Sequence, residues 1–208
     1  MTADAGRLIL VRHGETVGNS RIRYYGRTDL ALAASGRAQM AAARAALLAR
    51  FNLARFDRVF SSPLERARES ARIVAGGGPS IIAVPEFAEV DFGDFEGLTA
   101  EEIARRFPAE FARWNRDRLA EDYIYPNGEN RRAFRLRVER GLDRIGSALA
   151  EGTSLIVAHR GVIRVISDRL TGVRPEIALG SIQVLRRGND GGWRAELVDF
   201  EAHLAPDG

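Results

Sequence analysis

Short apolar runs alternate with longer stretches of helical spacing along this chain. Residues 8–11, Leu-Ile-Leu-Val, are continuously apolar, the pattern of a strand covered on both faces. Ser35 is placed to cap a helix over about 36–51, where Met40, Ala43, Leu47 and Phe51 recur at helical spacing. Residues 57–60 read as a second strand. Ser62-Pro63-Leu64-Glu65 then opens a helix, with serine as cap, proline at the first position and glutamate three residues on. Gly76-Gly77-Gly78-Pro79 ends it, and 80–84 is a third strand.

The rhythm breaks from about 90 to 130. Thr99 and Glu102 form a capping-box pattern, and Pro108 ends that short helix. Beyond it come arginines, aromatics and turns down to Pro126-Asn127-Gly128, read as an insertion that covers the site. Within it, Arg113, Trp114, Arg116 and Arg118 read as a solvated helix face, with a face turned to the pocket as the alternative. A long helix follows, with Phe134, Val138, Leu142, Ile145 and Leu149 on one side. A strand over 154–158 leads into a helix running to Leu170, stopped by Gly172 and Pro175. Residues 181–187 and 193–198, joined by Gly188-Asn189-Asp190-Gly191-Gly192, make a closing hairpin. Strands alternating with helices predict a three-layer α/β/α sandwich on a mostly parallel sheet. The expected organisation is one domain over 1–208 with a cap inserted at about 90–130.

Composition narrows the function. Hydrophobic residues make up 45% and charged residues 28% of the 208, which disfavours disorder. With no cysteine, disulfides, thiolate nucleophiles and zinc–thiolate sites are excluded. No long apolar segment and no charged-then-apolar leader is present, so the chain reads as soluble and cytoplasmic, without a membrane partner. The pI near 9.9 hints at nucleic acid. Net charge is only +3, however, and all 31 basic residues are arginine, never in a run interleaved with aromatics. No nucleic-acid partner is expected.

Candidate chemistry gathers at strand ends. Arg12-His13-Gly14-Glu15-Thr16 follows the first strand, and His159-Arg160 follows the strand at 154–158. Sites in such folds lie beyond the carboxyl ends of the strands, where strand order reverses. His13 is the candidate nucleophile, because an imidazole near its ordinary pKa of about 6.5 offers a lone pair without a separate base. The plainer alternative is a hydrogen-bonded structural histidine. Arg66 stands in a first helical turn, where a cation opposes the helix dipole; it is either repaid by a bound anion or a surface arginine. Arg12, Arg66 and His159 together would clamp three phosphoryl oxygens, with arginine supplying two parallel donors. Asn19 is a further donor or a turn residue. For the acid that protonates a leaving alkoxide, both Glu89 and Asp91 are open. A metal site is not expected: there is no His-Glu-x-x-His helix, and Arg12, Arg66 and Arg160 would repel a cation. No G-x-G-x-x-G follows a strand, so a dinucleotide site fails too.

These motifs, in this order, resemble the histidine phosphatase superfamily, the phosphoglycerate mutase-like branch. Arg12-His13-Gly14-Glu15-Thr16 with Asn19 is similar to its signature. So are the blocks at Tyr25-Gly26-Arg27-Thr28-Asp29, Ser61-Ser62-Pro63-Leu64-Glu65-Arg66-Ala67, Glu89-Val90-Asp91-Phe92-Gly93 and Ala158-His159-Arg160-Gly161. The resemblance implies His13 as the phosphorylated nucleophile and Glu89, over Asp91, as acid and then base. It implies Arg12, Arg66 and His159 as the phosphate pocket, with Asn19 assisting and Arg23 touching substrate. Thr16 and Arg160 are counted with the substrate-binding residues. It implies no metal or organic cofactor, and a small phosphorylated metabolite as substrate. Three departures stand out: Arg160 replaces a frequent glycine, Phe95 a frequent tryptophan, and Asn130 a frequent serine. The compact chain favours a phosphomonoester hydrolase over a bisphosphoglycerate-dependent mutase. A non-catalytic phosphate-binding module is the third reading. The sequence sets no oligomeric state.

Overall fold

The computed structural model describes residues 6–202, so the ends of the expected 1–208 domain, residues 1–5 and 203–208, lie outside the described residues. Six strands form one sheet: β1 (Arg7–Arg12), β2 (Arg58–Ser61), β3 (Ile81–Ala83), β4 (Thr153–Ala158), β5 (Ile182–Arg187) and β6 (Trp193–Phe200). Their order is β3-β2-β4-β1-β5-β6. The first four run parallel, while β5 pairs antiparallel with both β1 and β6. The sheet is therefore mixed and mostly parallel, as the alternation predicts.

Period-two alternation sorts the core into two layers. Ile9, Val11, Leu155 and Val157 pack with Met40, Ala43 and Leu47 of α1 (Ala34–Phe51) and Ala71 and Val74 of α2 (Glu65–Ala75). Leu8, Leu10, Ile156 and Ala158 face the other way. They meet Phe134, Val138 and Leu142 of α5 (Arg131–Ile145) and Val162, Ile163 and Ile166 of α6 (Arg160–Thr171).

Two predicted caps are not caps. α1 begins after Ala33, without a side-chain cap, and Ser35 lies inside its first turn. Its start is set by the loop after β1: Ala33 N–H donates to the Glu15 carbonyl at 2.9 Å. There Gly14 and Gly36 cross backbone against backbone, with no room for a Cβ on either. α2 begins after Leu64, two residues later than predicted. Ser62 is occupied elsewhere, as described below, so Pro63 stays outside the helix.

The segment between β3 and α5 holds two helices rather than one. Thr99 caps α3 (Ala100–Arg106) in the expected capping box with Glu102. Pro108 ends α3 and also opens α4 (Pro108–Asp117), of which the sequence shows a helix face only at 113–118. Trp114, expected on a solvated face, is buried against Tyr24, Phe95 and Phe111. Among the described residues, no helix is long and apolar enough to cross a membrane.

Candidate active site

β1 and β4 are the two central strands, paired in parallel, with β2 and β3 on one side and β5 and β6 on the other. Arg12 pairs with Ala158 in register, so the next residues, His13 and His159, emerge side by side. Their rings meet edge to face with centroids 5.1 Å apart. Both are buried.

The tautomer of His13 follows from its partner. Nδ1 lies 2.8 Å from the carbonyl of Gly14. A carbonyl only accepts, so Nδ1 carries the proton and Nε2 keeps its lone pair. Burial first, and then the Arg66 and Arg12 guanidiniums, push the His13 pKa well below its ordinary 6.5. The ring is thus neutral, with a free Nε2, across the physiological range. His159 is displaced the same way by burial, Arg66, His13 and Arg12.

Ser62 explains the orientation of His159. Its Oγ is 2.7 Å from His159 Nε2 and also accepts the N–H of Leu64 at 3.3 Å. When the hydroxyl donates its proton to Nε2, the His159 proton stands on Nδ1. Nδ1 is buried and has no hydrogen-bond partner.

The two arginines are held by the protein at one end and unpaired at the other. Arg12 Nη1 donates to the Ile177 carbonyl at 2.7 Å. Arg66, fully buried, donates Nη1 to the Thr28 carbonyl and Nη2 to the Gly26 carbonyl, each at 2.7 Å. This loop therefore occupies most of the fork that sequence reasoning assigned to the anion, and leaves Arg66 its Nε–H and one Nη1–H. Arg12 Nε, Arg66 Nε and His159 Nδ1 are three buried nitrogens without a hydrogen-bond partner. Desolvation lowers the Arg12 pKa to about 10 and lowers that of Arg66. For both, Glu89 is the main opposing charge that offsets it.

Glu89 is buried, with its two oxygens on backbone donors: Val90 N–H to Oε1 and Gly161 N–H to Oε2, both at 3.0 Å. The second donor lies in the first turn of α6, where the helix dipole favours a carboxylate. Asp91 turns away to accept Gly93 N–H at 2.9 Å.

A model of the histidine phosphatase superfamily (branch 1) matches residues 8–199. The chain belongs to that superfamily. It is 37% identical over 166 residues to the adenosylcobalamin/α-ribazole phosphatase of Salmonella typhimurium, covering 79% of each. It is 34% identical over 205 residues to a bifunctional protein of Mycobacterium tuberculosis, covering 95% of this chain but 55% of that one, so it spans about half the length of that relative. Among solved structures, the α-ribazole phosphatase of Shigella flexneri superposes with a TM-score of 0.80 at 28% identity, covering 94% of this chain and 96% of that one.

Within this histidine phosphatase fold the remaining sequence candidates lie further out. Thr16 is buried, its hydroxyl 2.6 Å from Ser20 Oγ, and the Glu15 carboxylate accepts the N–H groups of Thr16 and Ser20 at 2.7 Å. Asn19 is exposed in that loop with φ 61°. Arg23 is spent on Glu102, at 2.6 Å, and on the Gly97 carbonyl, at 2.7 Å. Arg160 is paired with Glu176 at 2.6 Å. Asn130 caps α5, its Oδ1 accepting Ala133 N–H at 3.0 Å. Sequence reasoning missed the role of Ser62, which carried the signal of a cap. It also missed Arg137 and Glu129, which grip the Glu89 segment. Among the described residues, no three His, Asp or Glu side chains cluster so as to hold a metal ion.

Proposed function

We propose that this chain hydrolyses phosphomonoesters of small metabolites through a phosphohistidine at His13. One observation carries the reading: three buried, unpartnered nitrogens, on Arg12, Arg66 and His159, beside a neutral imidazole with a free Nε2. A phosphoryl group supplies the three acceptors those nitrogens lack. Nε2 attacks phosphorus as the ester P–O bond breaks, and Glu89 delivers its proton to the leaving oxygen. The positive charge formed on His13 is spread toward the Gly14 carbonyl through Nδ1–H. Water then attacks phosphorus as the P–N bond breaks and its electron pair returns to Nε2, a proton of the water passes to Glu89, and phosphate leaves with the enzyme restored.

The α3–α4 segment packs through Trp114 on Tyr24, in the loop after His13, and in this reading it is the cap that selects the ester. The named phosphatases among the relatives favour hydrolysis over transfer to a second metabolite. Hydrolysis of an aryl phosphate in excess EDTA tests the reading. Full activity with chelator, an acid-labile phosphoryl adduct after rapid quench, and loss of both in His13→Ala are expected. Activity that survives His13→Ala, or that disappears with the chelator, refutes it. Phosphoryl transfer from 2,3-bisphosphoglycerate to 3-phosphoglycerate faster than hydrolysis would make the chain a mutase instead.

A further inference from the structure

Glu89 is supported from outside the phosphate pocket. Arg137, midway along α5, directs its whole guanidinium at the chain that carries Glu89. Nη1 donates to the carbonyls of Glu86 and Ala88 at 2.7 and 2.8 Å. Nη2 donates to the Glu89 carbonyl at 3.3 Å and to Glu129 Oε2 at 2.8 Å, and Nε to Glu129 Oε1 at 3.0 Å. These five bonds account for all five N–H groups of the arginine. Glu129 extends the grip to the other side of Glu89, accepting Asp91 N–H at 3.4 Å.

Both side chains are only 15% exposed. An ion pair this shielded gives little net stability over an apolar pair of similar volume. What it does provide is direction, since contacts to the carbonyls of Glu86, Ala88 and Glu89 fix the backbone from 86 to 89. The guanidinium also lies 5.0 Å over the ring of Phe134, and Phe134 backs Gly161, the residue whose N–H holds Glu89 Oε2. Backbone and carboxyl of Glu89 are therefore tied to neighbouring parts of one assembly.

We infer that Arg137 and Glu129 are a positioning pair that holds the Glu89 carboxyl where it can protonate the leaving oxygen. The inference rests on the reading of Glu89 as the acid. It predicts a defect graded by the leaving group, because a poor leaving group needs the proton and a good one does not. The test compares kcat/KM for 4-nitrophenyl phosphate and phenyl phosphate in Arg137→Lys, Glu129→Gln and, as reference, Glu89→Gln.

Arg137→Lys keeps the charge but loses the fork. It is expected to lose roughly 10–100-fold on phenyl phosphate, in the range of a misplaced catalytic group, and under about threefold on 4-nitrophenyl phosphate. Inhibition by inorganic phosphate should stay within about twofold, since the pocket donors are untouched. Glu129→Gln, nearly isosteric, should show the same grading at about 3–10-fold and keeps the test valid if the lysine variant folds poorly. Equal losses on both esters, or none, in variants that bind phosphate normally would overturn the positioning role. If Glu89→Gln itself is ungraded, Glu89 is not the acid and the inference falls with that assignment. Grading in Glu89→Gln alone leaves the acid in place and removes only the pair.

Discussion

Burial of two neutral histidines beside two arginines gives the molecule a defined acid sensitivity. In the unfolded chain His13 and His159 take up protons near pH 6.5. In the folded protein burial and neighbouring cations hold both pKa values well below that. Between those limits the unfolded state binds more protons, so stability is lost as pH falls below about 6.5 and recovers as pH rises through the same window. Melting temperatures measured from roughly pH 5 to 7.5 should rise with pH, and more shallowly in His159→Gln. Bound phosphate should raise the melting temperature in the parent protein by occupying the unpaired donors. A second prediction concerns Gly161. A Cβ there would stand 2.5 Å from Glu89 Oε1 and 3.0 Å from Phe134 Cζ. Gly161→Ala should therefore displace the carboxyl and cost about 10²-fold in kcat for phenyl phosphate, with phosphate affinity retained. The strand-end histidines and Arg12 stand out in the sequence because so few histidines exist and both follow apolar runs. Arg137 does not, because α5 also carries Arg131, Arg132, Arg135, Arg140 and Arg144, and only the contacts tell them apart.

At the scale of elements, helix starts are where residue type misled. Serine before a helical run is a cap signal, yet Ser62 is turned toward His159 and Ser35 lies past a start fixed by the Glu15 carbonyl. Strands were legible as apolar runs, since both faces of β1 and β4 are buried. The start of α4 was not, because a proline read as a stop is equally suited to a first turn. Trp114 is what anchors α4, through edge contacts to Tyr24 and Phe95. Trp114→Ala should cost about 3–5 kcal/mol, read by denaturant unfolding. Asn130→Ala should cost about 1 kcal/mol by removing the cap of α5. Because α5 carries Arg137, the cap variant should also lose activity on phenyl phosphate more than on 4-nitrophenyl phosphate.

At the scale of the whole molecule, alternation gave the layers and the strand ends gave the site, while strand order was not readable from local pattern. The order β3-β2-β4-β1-β5-β6 places β4 between two strands made some ninety or more residues before it. That has a consequence for synthesis. Until Thr153–Ala158 has left the ribosome, β1 and β2 have no common neighbour and each offers an open edge. Pairings this distant in sequence form slowly and leave incomplete chains prone to association. Ribosome-held chains halted at residue 152 should be cut readily by protease, and chains long enough to expose α6 should resist. Early resistance would place sheet assembly before the arrival of β4. The step that closes the sheet is also the one that brings His159 to His13, so until β4 is made a nascent chain carries the His13 segment without its partner.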